Sequence, residues 1–227
     1  MVKKGEGRKI ESGVFDEYTK KTIYKIQSKG YFDTLDFPIS TGKEADVYRG
    51  TTRDGEHVAV KIYRIETSHF KNKMDYLIYD PRFKRIKSSK RGIVEQWCKK
   101  EFKNLKEAKE VGVRCPKPIK PMKNVLVMEY IGREDGSPAP MLKDVKVKNP
   151  KKMIQKIEEY IKLLYEESKL VHSDLSEFNI LIQNEEPVLI DMGQAVNINH
   201  PRAEEFLKRD KKNLKRISKQ LKFREKS

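Results

Sequence analysis

The sequence predicts an α+β fold in two lobes, with antiparallel strands and one helix in the first lobe and mainly helices in the second. Two runs of apolar residues flank the turn Asp54-Gly55, and this pattern indicates a β-hairpin. Apolar residues recur at three- and four-residue spacing after Pro150 and again after Pro201, which indicates two amphipathic helices. The chain has 227 residues, enough for two small lobes.

The chain carries a large positive charge, with 50 Lys and Arg residues against 34 Asp and Glu residues. A net charge of +16 favours a polyanionic partner, and nucleic acid is the abundant polyanion for a cytoplasmic protein. The alternative is that the charge only keeps the surface solvated, and charge alone does not decide between the two.

The composition also indicates a cytoplasmic protein that does not enter a membrane. No apolar segment approaches the length of a membrane span, and the polar residues 1–4 have no apolar stretch behind them. Cys98 and Cys115 lie far apart without a nearby cysteine or histidine. We therefore expect two reduced thiols rather than a zinc site.

The chain begins with a predicted N-terminal helical leader. Residues 1–37 are largely polar, and a short helix is expected over residues 18–26 within them. The first lobe is predicted over residues 38–130, and a buried strand at residues 125–130 ends it.

The predicted strand His57–Tyr63 places a lysine among apolar residues. The branched aliphatic side chains share one face of this strand, and Lys61 lies on the other. An isolated ammonium is costly in a buried strand, so Lys61 needs phosphate oxygens and a carboxylate as partners. Glu101 is our candidate carboxylate. Glu95 and Glu107 remain alternatives, because one sequence does not fix the phase of a helix.

Residues 64–92 differ in character from the strands before them. They are highly charged, and we expect a mobile basic loop at about residues 82–92. A helix is predicted after it over about residues 93–111, because Gly112 suits the position that follows a helix end.

The second lobe is predicted over residues 131–227 and contains two helices. Asn149 is a candidate N-cap, and Pro150 would occupy the first helical position. The segment after Pro201 carries eleven basic residues against four acidic ones together with an apolar stripe. We therefore expect a basic C-terminal helix.

The segment His172–Asn179 lies between the first of these helices and an apolar strand. Asn179 follows Asp174 by five residues, which is the spacing of a phosphotransfer catalytic loop. In such a loop the carboxylate meets the attacking hydroxyl or water, and the amide oxygen holds Mg²⁺. The same spacing also fits ordinary capping and turn chemistry.

A second apolar strand ends at Asp191, which is followed by Met192-Gly193. Asp191 lies twelve residues after Asn179, and this leaves room for one hairpin through residues 184–186. The hairpin would bring Asn179 and Asp191 side by side as oxygen ligands of Mg²⁺. The two segments together predict a metal-dependent phosphotransfer site.

The segment Ser40–Tyr48 stands one hairpin before the Lys61 strand. It contains a single glycine, Gly42, and does not match the pattern Gly-x-x-x-x-Gly-Lys-Ser/Thr. The pattern alone is a weak signal for nucleotide binding. Its position ahead of a strand lysine strengthens that signal.

These segments together resemble the RIO family of atypical protein kinases. The resemblance is carried by residues 40–48, 60–63, 170–180 and 190–195, and it extends from about residue 39 to residue 210. Residues 200–210 resemble the first subgroup of the family, and compact members of this kind resemble archaeal ones. The resemblance implies a trimmed two-lobed protein-kinase-like fold.

The resemblance also implies a role for each matching residue. Lys61 would contact the α- and β-phosphates of ATP and be held by Glu101. Asp174 would be the catalytic carboxylate. Asn179 and Asp191 would hold Mg²⁺ or Mn²⁺, and Asp191 could also accept the phosphoryl group. The other implied ATP-binding residues are Ser40, Lys43, Val47, Ala59, Glu129 and Ile131, of which the last two would use their backbone.

The implied activity is transfer of the γ-phosphate of ATP to the protein itself, to a protein serine or threonine, or to water. The implied setting is maturation of the small ribosomal subunit, which fits the basic charge. Ser88 and Ser89 are the candidate sites of self-phosphorylation.

Two departures from ordinary protein kinases affect the expected substrate. Position 176 is Ser where typical kinases have a lysine that steadies the γ-phosphate, and only 36 residues (227 minus 191) follow Asp191. We therefore expect a second lobe without an activation segment or peptide-binding helices. ATP hydrolysis or self-phosphorylation fits such a lobe better than efficient phosphorylation of peptides.

Two other function classes remain as alternatives. A small-molecule phosphotransferase can share the His-x-Asp-x₄-Asn loop, but it would need an acidic substrate-binding lobe where a basic helix stands here. A catalytically silent RNA-binding scaffold would not need Lys61, Asp174, Asn179 and Asp191 together.

Overall fold

Five antiparallel strands form the sheet of the first lobe in the computed structural model, which describes residues 15–66, 70–83 and 85–226. The strands are β1 Thr34–Thr41, β2 Ala45–Thr51, β3 His57–Tyr63, β4 Pro118–Met122 and β5 Val125–Glu129. Their order across the sheet is β1-β2-β3-β5-β4, so the strand that carries Lys61 is the central one. Residues 1–14 of the predicted leader lie outside the described residues.

Helix α1 (Glu17–Gln27) covers one face of this sheet and corresponds to the short helix predicted over residues 18–26. Asp16 caps it, because its carboxylate accepts a hydrogen bond from a first-turn backbone N–H at 2.7 Å. Ile23 and Ile26 pack against the aliphatic residues of β3 and β5. Lys61 is left on the opposite face, where it lines a cavity.

Residues 64–92 contain a helix that the sequence analysis did not predict. This helix, α2, spans Phe70–Ile78, and α3 spans Lys90–Glu110. The predicted start of α3 at residue 93 is wrong by three residues. Ser89 is the N-cap, and its hydroxyl accepts a hydrogen bond from the N–H of Gly92 at 3.1 Å. The irregular basic segment therefore ends at residue 89 rather than 92, and its mobility stays a prediction.

The second lobe is mainly helical. Helix α4 spans Pro150–Glu166, and the side chain of its N-cap Asn149 accepts a hydrogen bond from the N–H of Lys152 at 2.9 Å. Helix α5 spans Ala203–Lys226 and packs against α4. The apolar stripes of both helices join α3 and the inner face of the sheet in one continuous core.

Two short antiparallel sheets complete this lobe. Their strands are β6 Leu170–Val171 paired with β9 Val196–Asn197, and β7 Ile180–Gln183 paired with β8 Glu186–Leu189. Asn184 and Glu185 join β7 to β8 with φ angles of 52° and 61°, the backbone that a tight two-residue hairpin requires. This is the hairpin that was predicted between Asn179 and Asp191.

The chain between Asp191 and α5 is short. It forms one 3₁₀ turn (Met192–Gln194) and β9 before α5 begins at Ala203. Residues 192–202 therefore contain no activation segment, in agreement with the trimmed kinase-like fold. Among the described ranges, no helix is both long and apolar enough to cross a bilayer.

Candidate active site

A cavity of about 670 Å³ lies between the two lobes. Its volume is in the range of small-molecule sites. The predicted site residues that line it are Ser40, Val47, Ala59, Lys61, Glu101, Glu129, Ile131, Asn179 and Asp191. Lys43 lies between two lining residues, Gly42 and Glu44. Asp174 is not one of the lining residues, but its carboxylate is hydrogen-bonded to two of them, Asn179 and Gln194.

Lys61 connects carboxylates from both lobes. Its ammonium nitrogen lies 2.9 Å from each oxygen of Glu101 and 3.0 Å from Oδ1 of Asp191. The hydroxyl of Tyr63, two residues along the same face of β3, also donates to Glu101. The structure thus pairs Lys61 with the candidate chosen from the sequence and adds a partner, Tyr63, that the sequence did not indicate.

The two alternative carboxylates have other partners. Glu95 accepts hydrogen bonds from Tyr18 and, at 3.0 Å, from Lys87. Glu107 accepts a hydrogen bond from Arg82 at 2.7 Å. Of the three candidate glutamates on α3, therefore, only Glu101 points towards the cavity.

Charge pairing sets the protonation of this group. Burial alone would lower the pKa of Lys61, but the carboxylates of Asp191 and Glu101 outweigh it and hold the pKa above its ordinary value. Burial raises the pKa of Glu101 to about 7, against the opposing effect of Lys61. Lys61 is also the main reason that the pKa of Asp191 is lowered. Lys61 is therefore the cation on which both carboxylates depend.

Asp174 stands in the loop that precedes β7. Its Oδ2 accepts hydrogen bonds from Asn179 at 3.1 Å and from Gln194 at 3.2 Å. Burial raises the pKa of Asp174, and the charge of Asp191 adds to the shift while His172 opposes it. A carboxylate with a raised pKa is a better proton acceptor, as a base facing a hydroxyl or water should be.

The loop is clamped by a residue that the sequence analysis did not single out. Asp210 of α5 is 1% exposed, and its two carboxylate oxygens accept hydrogen bonds from the N–H groups of Ser173 at 2.7 Å and Leu175 at 3.1 Å. These residues flank Asp174 on either side. A signal was present in the sequence, since Asp210 lies four residues after Phe206 and four before Leu214 on the apolar stripe of α5.

Asn179 and Asp191 offer oxygen atoms suited to a hard cation. The side-chain NH₂ of Asn179 donates to the carbonyl of Asp174 at 2.8 Å, which leaves the amide oxygen as an acceptor. The N–H of Ile190 donates to the carbonyl of Asn179 at 3.0 Å and holds the two segments together. The carboxyl of Asp191 is 44% exposed in the cavity.

This donor set fits Mg²⁺ that is bound together with a nucleotide, because Mg²⁺ takes one or two protein oxygens and completes its shell with phosphates and water. Within the described part of the chain, no cluster of three or more His, Cys, Asp or Glu side chains could hold a metal ion by itself. A site completed by phosphate oxygens does not require such a cluster.

Helix α3 holds the segment after Asp191 through two buried side chains. The ammonium of Lys100 donates to the carbonyls of Gly193, at 2.9 Å, and Ala195. The amide of Asn104 donates to the carbonyl of Met192 at 2.7 Å. Burial lowers the pKa of Lys100 to about 7. Sequence reasoning missed both residues, because their partners lie about ninety positions away in the chain.

Backbone groups of Glu129 and Ile131, at the end of β5, were expected to bind the edge of adenine. The N–H of Glu129 donates to Lys117 at 2.8 Å, and the carbonyl of Ile131 accepts from Ala139 at 3.0 Å. Neither of these two bonds uses the Glu129 carbonyl or the Ile131 N–H, the two groups at these residues that would meet a ligand edge. The Glu129 carboxylate is held by Arg114 at 2.8 and 3.0 Å.

The two candidate phosphorylation sites do not reach the cavity. Ser88 and Ser89 are exposed, and neither of them lines it. The hydroxyl of Ser89 is also engaged as the cap of α3. The structure therefore does not bring these serines to Asp174 within one molecule.

A two-lobed fold with a strand lysine held by a helix glutamate, an Asp-x₄-Asn loop and a strand-end Asp defines a protein-kinase-like phosphotransferase. The chain belongs to the RIO family, whose RIO domain model matches residues 46–226. It is therefore an atypical kinase of this family, as the sequence resemblance predicted.

The chain is similar to Rio1 kinases from archaea and eukaryotes. It is 47% identical over 213 residues to the RIO-type serine/threonine-protein kinase Rio1 of Haloferax volcanii, covering 94% of this chain and 73% of that protein. For Rio1 of Methanocaldococcus jannaschii the identity is 42% over 206 residues, covering 90% and 70%. The serine/threonine-protein kinase RIO1 of Homo sapiens is 36% identical over 92% of this chain but only 37% of that protein.

A solved structure also resembles this one. The Rio2 kinase of Chaetomium thermophilum, crystallised as an ADP/Mg²⁺–phosphoaspartate complex, superposes with a TM-score of 0.68 at 25% sequence identity. The match covers 86% of this chain and 58% of that chain. The likeness agrees with the trimmed kinase-like α+β fold described above.

Proposed function

We propose that the chain binds Mg-ATP between its lobes and transfers the γ-phosphate to itself, to a protein serine or threonine, or to water. The observation that carries this proposal is the bridge from Lys61 to Glu101 at 2.9 Å and to Asp191 at 3.0 Å. The bridge connects the predicted phosphate-binding lysine to the predicted metal ligand, and all three side chains line one cavity. ATP and a divalent metal are the ligands that suit this arrangement.

The nucleotide would lie against the first lobe. Val47 and Ala59 would pack on the adenine, and the Glu129 carbonyl and Ile131 N–H would read its edge. The loop with Ser40 and Lys43 would cover the triphosphate, and Lys61 would contact the α- and β-phosphates. Bound Mg²⁺ or Mn²⁺ supplies charge neutralisation on the phosphates, and Asn179 and Asp191 would hold it.

The chemistry divides between the two acidic residues of the site. Asp174 would accept the proton of the attacking hydroxyl or water, which its raised pKa favours. The lowered pKa of Asp191 keeps it a carboxylate. Its oxygen could attack the γ-phosphorus while the bond to the β-phosphate oxygen breaks and ADP leaves. The Chaetomium Rio2 kinase, crystallised with a phosphoaspartate, supports this second route.

The proposed biological setting is maturation of the small ribosomal subunit in the cytoplasm. The net charge of +16 supports a partner rich in phosphate, such as a pre-ribosomal particle of rRNA and protein. The missing activation segment supports ATP hydrolysis or self-phosphorylation over phosphorylation of free peptides. Because Ser88 and Ser89 stay outside the cavity, phosphorylation of either would take place between two molecules.

The test is phosphate release from Mg-ATP by the protein and by Asp174→Asn, each with and without small ribosomal subunits. Turnover that requires Asp174 and rises with subunits is expected. A small-molecule phosphotransferase would instead be indifferent to subunits and respond to a small acceptor. A silent RNA-binding scaffold would bind subunits and release no phosphate.

A further inference from the structure

A second cavity adjoins the nucleotide cavity. It has a volume of about 490 Å³ and lies between α2, α3 and the start of α5, and we call it the α2 cavity. Glu44, Trp97 and Gln194 line both cavities, so these three side chains form a shared wall. Gln194 also donates a hydrogen bond to the Asp174 carboxylate at 3.2 Å. The α2 cavity therefore opens beside the catalytic carboxylate.

Lys73 of α2 is a buried cation in this cavity. It is 2% exposed, and its ammonium lies 5.2 Å from the centre of the Trp97 ring. Oε2 of Glu44 is 2.7 Å from the ammonium nitrogen, but no group in the described ranges forms a hydrogen bond of good geometry with it. A buried ammonium in this condition favours an additional anionic ligand.

A second buried donor faces the same cavity. Nδ1 of His200 accepts a hydrogen bond from the N–H of Arg202 at 3.1 Å, so the proton of the neutral ring is on Nε2. Nε2 is buried and meets no described group in a hydrogen bond of good geometry, although the backbone of Asp75 lies close enough to act against the lowering of the ring's pKa by burial. The α2 cavity thus contains two buried donors, Lys73 and His200, which suits an anion with several oxygen atoms.

The catalytic loop lacks a cation for the transferred group. Position 176 is a serine, and its carbonyl accepts a hydrogen bond from the N–H of Asn179 at 3.0 Å as part of the loop turn. A neutral hydroxyl cannot balance the charge of a γ-phosphate. Phosphoryl transfer depends on fixed positive charge at the transferred group, and a cation outside this loop would add to the charge of the metal.

We propose that Lys73 supplies this charge by binding the γ-phosphate of ATP across the shared wall, where phosphate oxygens replace Glu44 as its partner. The inference rests on the proposed binding of Mg-ATP between the lobes. Glu44, whose carboxylate lies 2.7 Å from the ammonium of Lys73, also lines the nucleotide cavity, so the ammonium stands next to that cavity. Lys73 thereby takes the role that position 176 does not fill.

Calorimetric titration of Lys73→Met with Mg-ADP and with a non-hydrolysable Mg-ATP analogue tests the proposal. Affinity for the analogue should fall by about tenfold or more, the usual effect of losing a charge-assisted hydrogen bond, while affinity for ADP stays within about twofold. Lys73→Arg should retain most of the affinity for the analogue. Glu44→Gln, which removes the competing carboxylate, should strengthen binding of the analogue but not of ADP.

The matched control is Lys106→Met, because Lys106 lies on the neighbouring helix α3 with its side chain 62% exposed. It should change neither affinity. If Lys73→Met loses affinity equally for ADP and the analogue, or loses affinity for neither, the proposed role of Lys73 is wrong while the proposed nucleotide site is unaffected. Failure of the unsubstituted protein to bind either nucleotide would overturn the proposed function itself.

Discussion

Asp210 on α5 holds the backbone on both sides of Asp174, with one carboxylate oxygen on the N–H of Ser173 and the other on the N–H of Leu175, at 2.7 and 3.1 Å. A residue of the last helix therefore fixes the geometry of the loop that carries the proposed catalytic carboxylate. The exposed side of α5 is basic, and its buried side supports this candidate site.

Replacing Asp210 with Asn should damage activity more than folding. The new NH₂ group would face a backbone N–H, so one donor loses its acceptor at a cost of about 1–3 kcal/mol in stability. Displacement of Asp174 should lower kcat by about tenfold or more, with a smaller effect on the KM for ATP. Urea unfolding and phosphate release measure the two effects. Unchanged kcat in a destabilised variant would limit Asp210 to a structural role.

Lys61→Met should abolish turnover and make stability depend on pH. Without Lys61 the buried Glu101 loses its counter-charge, and its pKa, already raised to about 7, should rise further. A glutamate with a raised folded-state pKa stabilises the fold below its unfolded-state pKa, and that stability is lost as pH rises through the folded-state value. Lys61→Met should therefore be less stable at pH 8 than at pH 5 by about 3 kcal/mol or more.

The double variant Lys61→Met/Glu101→Gln is the control for this prediction. It removes the titrating carboxylate, so its own stability should vary little over the same pH range. Thermal unfolding at pH 5 and pH 8 provides the comparison. A pH dependence that survives in the double variant would place the titrating group elsewhere.

The pH profile of turnover should have an acidic limb set by Asp174. Burial raises its pKa, and the base must be ionised to accept a proton, so kcat should fall as pH drops through that raised value. Asp191 has a lowered pKa and should remain ionised over this range. The residual activity of Asp174→Asn should lack the limb. If the limb persists in that variant, another group controls it.

Asp191 should be needed for the metal even if it is never phosphorylated. Asp191→Ala should remove the dependence of nucleotide binding on Mg²⁺, leaving only the weak binding seen without metal. Acid-quenched protein after incubation with γ-labelled ATP should carry label that hydroxylamine releases, as an acyl phosphate does. Label that resists hydroxylamine and withstands alkali poorly would indicate a serine or threonine ester instead.

The site residues whose proximity could be predicted from the sequence are those that short stretches of chain connect. Asp174 and Asn179 share one loop, and the hairpin to Asp191 is fixed by its length, so spacing alone placed them together. The carboxylate partner of Lys61 could be narrowed only to three candidates, because the phase of a helix depends on what the helix packs against. The structure resolves the choice by giving Glu95 and Glu107 other partners.

The residues that were missed act over long separations. Lys100 meets the carbonyl of Gly193, and Asp210 meets the N–H of Ser173, which is 37 positions away. Helix α2 was missed for a different reason: the sequence analysis interpreted residues 64–92 by their high charge, although Met74, Tyr76 and Leu77 of this helix pack into the core. Lys73 also lies on the buried side of this helix, and a lysine in a sequence pattern is normally taken as an exposed residue.

Binding to small-subunit rRNA should depend steeply on salt, because each lysine or arginine that meets a phosphate releases a counterion. Lys215 and Lys219 are exposed on α5 and line the groove between α4 and α5. Reversing both to Glu should reduce the slope of log affinity against log salt by about two and weaken binding to all rRNA sequences alike. Reversal of Lys106 and Lys109, both exposed on α3, changes the net charge by the same amount and is the control for a simple loss of net charge. Equal slopes of log affinity against log salt for the two variants would mean that the net charge acts without a defined binding surface. An affinity that does not change with salt would contradict the proposal of a nucleic-acid partner.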